Sequence, residues 1–102
     1  MASTKEYLQY VLDQLAGEEI TYRPMMGEYV LYLDGKVVGG IYDDRLLVKS
    51  TPSAKDLIPN ATYALPYAGA KEMILADVDD GALLSALLHA AAKDLPAPKK
   101  RS

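Results

Sequence analysis

The sequence predicts an α+β fold, an antiparallel sheet of about four to five strands with helices packed on it. Three observations carry that expectation. Residues 29–49 alternate around two turn signals. A segment near each end of the chain repeats apolar residues at helical spacing. No internal repeat is visible, and 102 residues suit one domain. The expected boundaries are one domain over 1–96 and a flexible basic tail over 97–102.

Taken in order, the elements run α-β-β-β-β-α-β-α. Ser3 or Thr4 is a suitable N-cap for the first helix, and Ser3 with Glu6 fits a capping box. Tyr7, Leu8, Val11, Leu12 and Leu15 recur on one side, and Gly17 is a natural stop. Glu18 to Tyr22 suits a short strand, followed by a compact Arg23-Pro24-Met25-Met26-Gly27 loop. Tyr29 to Leu33 is rich in aromatic and β-branched residues, and Asp34-Gly35 after it favours a type I′ hairpin. Lys36 to Tyr42 is the returning strand, Asp43-Asp44 a weaker turn signal, and Arg45 to Lys49 the next strand. Thr51 with Pro52 marks the start of a short helix anchored by Leu57 and Ile58, which Pro59-Asn60 ends. Ala61 to Ala70 reads as loop and Lys71 to Ala76 as a strand. Asp77-Val78-Asp79-Asp80 then precedes a helix over 80–95 with a stripe of Leu83, Leu84, Leu87, Leu88, Ala91 and Leu95.

Two-residue turns set a register in which Leu33 faces Lys36, Tyr32 faces Val37, Tyr42 faces Arg45 and Ile41 faces Leu46. Strict alternation then gives a core face of Val30, Tyr32, Val37, Gly39, Ile41, Leu46 and Val48. The opposite face carries Tyr29, Leu31, Leu33, Lys36, Val38, Gly40, Tyr42, Arg45, Leu47 and Lys49. It is too apolar for a plain solvent face and too charged for a core. Either another part of the chain covers it or it is a partner or homodimer surface. Gly39-Gly40 permits close backbone approach or a strong bend.

Composition excludes several classes of function. Without cysteine there is no disulfide, thiolate catalysis or cysteine-ligated metal. No apolar run approaches the roughly 18 residues of a membrane span, and the N-terminus lacks an apolar signal region, so a cytoplasmic location is expected. The chain holds eight Tyr and neither Phe nor Trp. Tyrosine seeks a partner for its hydroxyl, which places several at the border of the core.

In order and spacing, several pieces of the chain together resemble the N-terminal domain family of the competence regulator TfoX (Sxy). They are Arg23 and Met25 or Met26 before Gly27, Tyr29, Leu31-Tyr32, the Asp34-Gly35 turn, and Gly40 before Asp43-Asp44-Arg45-Leu46. Lys49, Pro66-Tyr67 and Met73 continue the pattern. The similarity covers about Tyr7 to Leu95, so a stand-alone member lacking the family's C-terminal domain is expected. The resemblance implies a small α+β domain of the kind compared with secretion chaperones. It also implies a link to transcriptional activation of DNA-uptake genes alongside a cyclic-AMP receptor protein.

The residues that carry chemistry have structural readings beside their functional ones. His89, the sole histidine, falls on the solvent side of its helix, with no partner evident to make it a general base. Asp77, Asp79 and Asp80 suit capping and the helix dipole better than a metal loop, and Asp43-Asp44 suits a turn. Arg23 either braces its loop, with Glu28 as one partner, or grips a carboxylate or phosphate. Met25 and Met26 are core filler or adaptable contact residues. A net charge of −3 and a pI of about 5.0 argue against direct DNA binding. The expected function is a non-enzymatic protein-interaction module with no catalytic residues, metal or cofactor. Its partner is a second copy or another cytoplasmic protein, transcription factors included. The expected contact residues are Arg23, Met25, Met26, Tyr29, Leu31, Val38 and Leu47. The alternative is a small-ligand binder or cryptic enzyme built on Arg23, Tyr29 and the Asp77–Asp80 corner.

Overall fold

The computed structural model describes residues 4–76 and 79–95. Helix α1 (Lys5–Gln14) leads into strands β1 (Ile20–Met25), β2 (Glu28–Leu33), β3 (Lys36–Ile41) and β4 (Leu46–Val48). Helix α2 (Pro52–Leu57), strands β5 (Tyr63–Ala64) and β6 (Met73–Leu75) and helix α3 (Gly81–Lys93) complete the order. The strands form one antiparallel sheet, β1-β2-β3-β4-β6-β5. The α+β class holds, with six strands in place of four to five. The strand the sequence did not reveal is β5, two residues inside a segment that reads as loop. The expected tail over 97–102, Ser3 and Asp77 lie outside the described residues.

The caps follow the chemistry of their residues. Thr4 accepts from the Tyr7 amide, Thr51 from Ala54 ahead of Pro52, and Asp80 from Leu83. Asp80 is therefore a capping residue, as its position before α3 implies. Each of the first three hairpins turns on two residues with positive φ: Met26-Gly27 (54°, 85°), Asp34-Gly35 (54°, 79°) and Asp43-Asp44 (54°, 54°). That is the type I′ signature, whose twist matches paired strands. The expected loop over 23–27 is therefore mostly strand, with Arg23, Pro24 and Met25 paired to Val30, Tyr29 and Glu28. Proline is tolerated there because β1 is an edge strand.

The face assignment needs correction, and a β-bulge is the reason. Leu33 faces Lys36 and Tyr32 faces Val37 as expected, but Leu31 then faces Gly39, leaving Val38 as an extra residue. One inserted residue reverses the alternation beyond it. Gly39 allows the close approach, since a Cβ there would collide with the Leu47 carbonyl oxygen. Beyond the bulge the register recovers, with Ile41 facing Leu46 and Tyr42 and Arg45 exchanging backbone bonds. Along β2 the core residues are consequently Tyr29, Leu31 and Leu33, while Val30 and Tyr32 are half-buried on the reverse face.

Tyr29, Leu31 and Val38 are thus core residues, not surface contacts. They pack with Ile41, Leu46, Val48 and Ile74 beneath Leu8 and Val11 of α1, Leu15 at its C-cap, and Leu84, Leu87 and Leu88 of α3. Leu47 does lie on the reverse face, between Leu46 and Val48, but it is fully buried there. Helix α2 packs on α3, and Asp94 ties the two by accepting from the Ser53 amide (2.6 Å) and hydroxyl (3.0 Å). Among the described residues no helix is long and apolar enough to cross a membrane.

Candidate functional site

The reverse face carries two adjoining concavities, and their construction starts at Gly40. Glycine leaves room for the Tyr42 ring to lie back across the sheet: a Cβ at Gly40 would stand 2.7 Å from that ring and 2.6 Å from the Tyr29 carbonyl oxygen. Arg45 then fixes what lies above. Its guanidinium donates to the Tyr42 carbonyl (3.3 Å) and to the Leu65 carbonyl (3.2 Å), anchoring the segment 65–67 over the sheet. Tyr67 meets Tyr42 edge to face, with ring centroids 6.4 Å apart and planes at 61°.

Two depressions flank this aromatic pair. One, of about 490 Å³, runs along Val37, Lys49, Lys71, Glu72 and Met73. The other, of about 380 Å³, is enclosed by Met25, Met26, Glu28, Tyr42, Pro66 and Tyr67. Met26 is 97% exposed at the hairpin tip and Tyr67 62% exposed. Glu28 accepts from the Asp43 amide with both carboxylate oxygens (3.1 and 3.3 Å), which fixes it between the two turns. Burial raises the Tyr42 phenol above its ordinary value, and neighbouring Tyr67 and the Glu28 carboxylate add to the rise.

The expected contact residues are distributed unevenly around this feature. Met25 and Met26 line it. Arg23 is exposed on β1 beside a separate depression shared with Thr21, Tyr22, Tyr32 and Gly35. Tyr29, Leu31, Val38 and Leu47 are buried. Sequence reasoning missed Glu28 and Tyr42 as cavity residues. Pro66 and Tyr67 were visible only as part of the family pattern. The local signal is Gly40 two residues before Tyr42, just past the end of β3, where the missing Cβ leaves space for the ring.

Among the described residues, those of the small-ligand alternative are not assembled. Arg23 pairs with Val30 on the reverse face, whereas Tyr29 joins the core on the other. Asp80 caps α3, and Asp79 accepts from the Tyr10 hydroxyl. Among the described residues no group of three or more His, Asp or Glu is placed to hold a metal ion.

His89 does have a partner, contrary to the sequence reading. Its Nε2 lies 2.7 Å from Glu18 Oε1, and Ser85, one turn earlier on α3, donates its hydroxyl to the other carboxylate oxygen. Glu18 is held below its ordinary value first by the Ser85 hydroxyl and then by the His89 ring. The carboxylate stands between serine and histidine, so these groups form a tether from the α1–β1 connection to α3 rather than a nucleophile–base pair. The i, i+4 spacing of Ser85 and His89 was legible; their partner in a distant loop was not.

The family model described as TfoX N-terminal domain matches residues 11–91. The chain is also similar to an uncharacterized 12.7 kDa protein in trpE 5'region of Spirochaeta aurantia. The two are 41% identical over 105 residues, covering 99% of this chain and 90% of that protein. No solved structure matches the chain.

Proposed function

The chain belongs to the TfoX N-terminal domain family, and from that premise we propose that it is a non-enzymatic protein-interaction module. Its contact surface is the Met25–Met26 hairpin tip together with the Leu65–Tyr67 segment. The observation that carries this reading is the concentration of exposed large apolar residues there: Met25, Met26, Leu65 and Tyr67. Exposed apolar patches of this kind favour partner contact, and methionine adapts its shape to a partner. The partner is a second copy of the chain or another protein, with a transcription factor the form the family link favours. Duplex DNA is disfavoured as the direct target by the net charge of −3.

The test is site-directed photocrosslinking in cells with benzoylphenylalanine at position 26 or 67, and at exposed position 55 on α2 as control. Discrete adducts from 26 and 67, absent from 55, are expected. The adduct mass then tells a second copy from another protein. Equal labelling from all three positions, or none from 26 and 67, overturns the proposal.

A further inference from the structure

We propose that the cavity between the β1–β2 turn and Tyr67 is a cation cage that receives the arginine or lysine side chain of a basic partner segment. This rests on the interaction reading above and names the chemistry of the group received. Its walls are two tyrosine rings inclined at 61°, two methionines, a proline and one carboxylate. A tyrosine face attracts a cation lying within about 6 Å of the ring centroid. Two rings set at a steep angle give such a cation a corner to occupy. Methionine and proline supply an apolar lining for the alkyl stem.

Charge decides which occupant fits. Glu28 is the one charged residue among the described residues lining the cavity, so the cavity is built for positive rather than negative groups. Its influence reaches the cavity floor, since its negative charge helps hold the Tyr42 phenol protonated. The site uses that charge and not an idle lone pair, because the Asp43 amide already engages the carboxylate. At longer range the chain's net charge of −3 draws a basic segment toward it. The neighbouring groove differs: Lys49 and Lys71 stand with Glu72 along it, and such mixed charge selects no one sign. A cationic side chain is therefore the occupant the walls select.

The probe is acetyl-Gly-Arg-Gly-amide, titrated into the isotope-labelled full chain and followed by amide chemical shifts. The comparison peptide carries citrulline, which has nearly the shape of arginine without its charge. Arginine is expected to shift amides at Met25, Glu28, Tyr42 and Tyr67 and to bind about tenfold more tightly than citrulline. Glu28→Gln and Tyr67→Leu should each weaken it by about five- to tenfold. Tyr67 is largely exposed, so its variant keeps the fold even where the Glu28 variant disturbs the Asp43 turn. Equal binding of citrulline, shifts confined to another surface, or an unchanged affinity in Tyr67→Leu would overturn the cage. The two proposals fail separately. Crosslinks from position 67 without arginine preference leave the module and remove the cage, whereas arginine-specific binding without crosslinks does the reverse.

Discussion

Replacing Met26 with asparagine should stabilise the fold while weakening partner contact. Met26 occupies the left-handed region at φ 54°, which costs an L-residue with an ordinary side chain about 1–2 kcal/mol. Being 97% exposed, it recovers almost nothing through burial. Asparagine tolerates the left-handed region and suits the first central position of a type I′ turn. Met26→Asn should therefore gain about 0.5–1 kcal/mol, which raises Tm by about 2–8 °C in a chain of this size. Met26→Gly should gain less, because glycine also loosens the unfolded chain by about 0.5–1 kcal/mol. Met26→Val should lose stability, as a branched Cβ is poorly accommodated at positive φ. Calorimetry on the three variants, with urea midpoints as a second measure, gives the order Asn, Gly, wild type, Val. A lower Tm for Met26→Asn, or an unaffected Met26→Val, refutes both the turn geometry and the claim that a strained methionine is kept for contact. Reduced crosslinking from position 67 in the more stable asparagine variant would exhibit the exchange of stability for function directly.

Other variants test the interior. Gly40→Ala drives a Cβ toward the Tyr29 carbonyl and the Tyr42 ring and should cost about 1–3 kcal/mol by urea denaturation, with loss of the Tyr42–Tyr67 contact. Leu31→Glu places a carboxylate at a fully buried position and should cost more than about 3 kcal/mol; a folded variant would contradict the bulge-shifted register. Lowering the pH probes Glu18 and Asp94. Glu18 is depressed chiefly by Ser85 and then His89, and Asp94 chiefly by the Ser53 amide. Depressed carboxylates bind fewer protons folded than unfolded. Their contribution is full above the ordinary values of 4.5 and 3.8 and is lost as pH falls through the lower folded values. The urea midpoint should fall below about pH 4.5, and less steeply in Glu18→Gln and Asp94→Asn.

Where the sequence could be read and where it could not divides at local against non-local causes. The Asp34-Gly35 turn, the Thr4, Thr51 and Asp80 caps and the apolar stripes of α1 and α3 depend on residues within one turn of each other, and all were legible. The bulge was not. Nothing in Lys36-Val37-Val38-Gly39-Gly40 distinguishes a regular strand from one that gains a residue opposite Leu31, yet that one residue decides which face of β2 enters the core. Two turns were underestimated because their central residues are atypical. Met26 and Asp44 lack glycine's freedom; the paired strand ends hold both at positive φ, and Asp44 has distant bonds as well. For Asp44 those bonds come from the Thr4 amide and hydroxyl, forty positions away. The cavity was illegible for the same reason: its walls come from the β1–β2 turn, the end of β3 and the segment after β5, three stretches with no local relationship.

The position of Pro24 sharpens the case for side-chain contact over strand pairing. In a two-residue hairpin the residues flanking the turn, here Met25 and Glu28, form a hydrogen-bonded pair, and bonded and non-bonded pairs then alternate. Pro24, one step further along, sits where an amide would point away from β2 and toward any strand arriving at the edge. Proline offers no such donor, so the β1 edge is blunted against sheet extension by another chain. At the opposite edge, β5 is only two residues long and offers little to extend. With one edge blunted by proline and the other only two residues long, the association proposed above falls to side chains. The side chains most available are those that β1 delivers at its tip, beside the Tyr42–Tyr67 corner. On the proposed interaction reading, a proline that blunts the edge and a methionine strained at its end serve one arrangement, in which the hairpin offers side chains for contact without offering a strand.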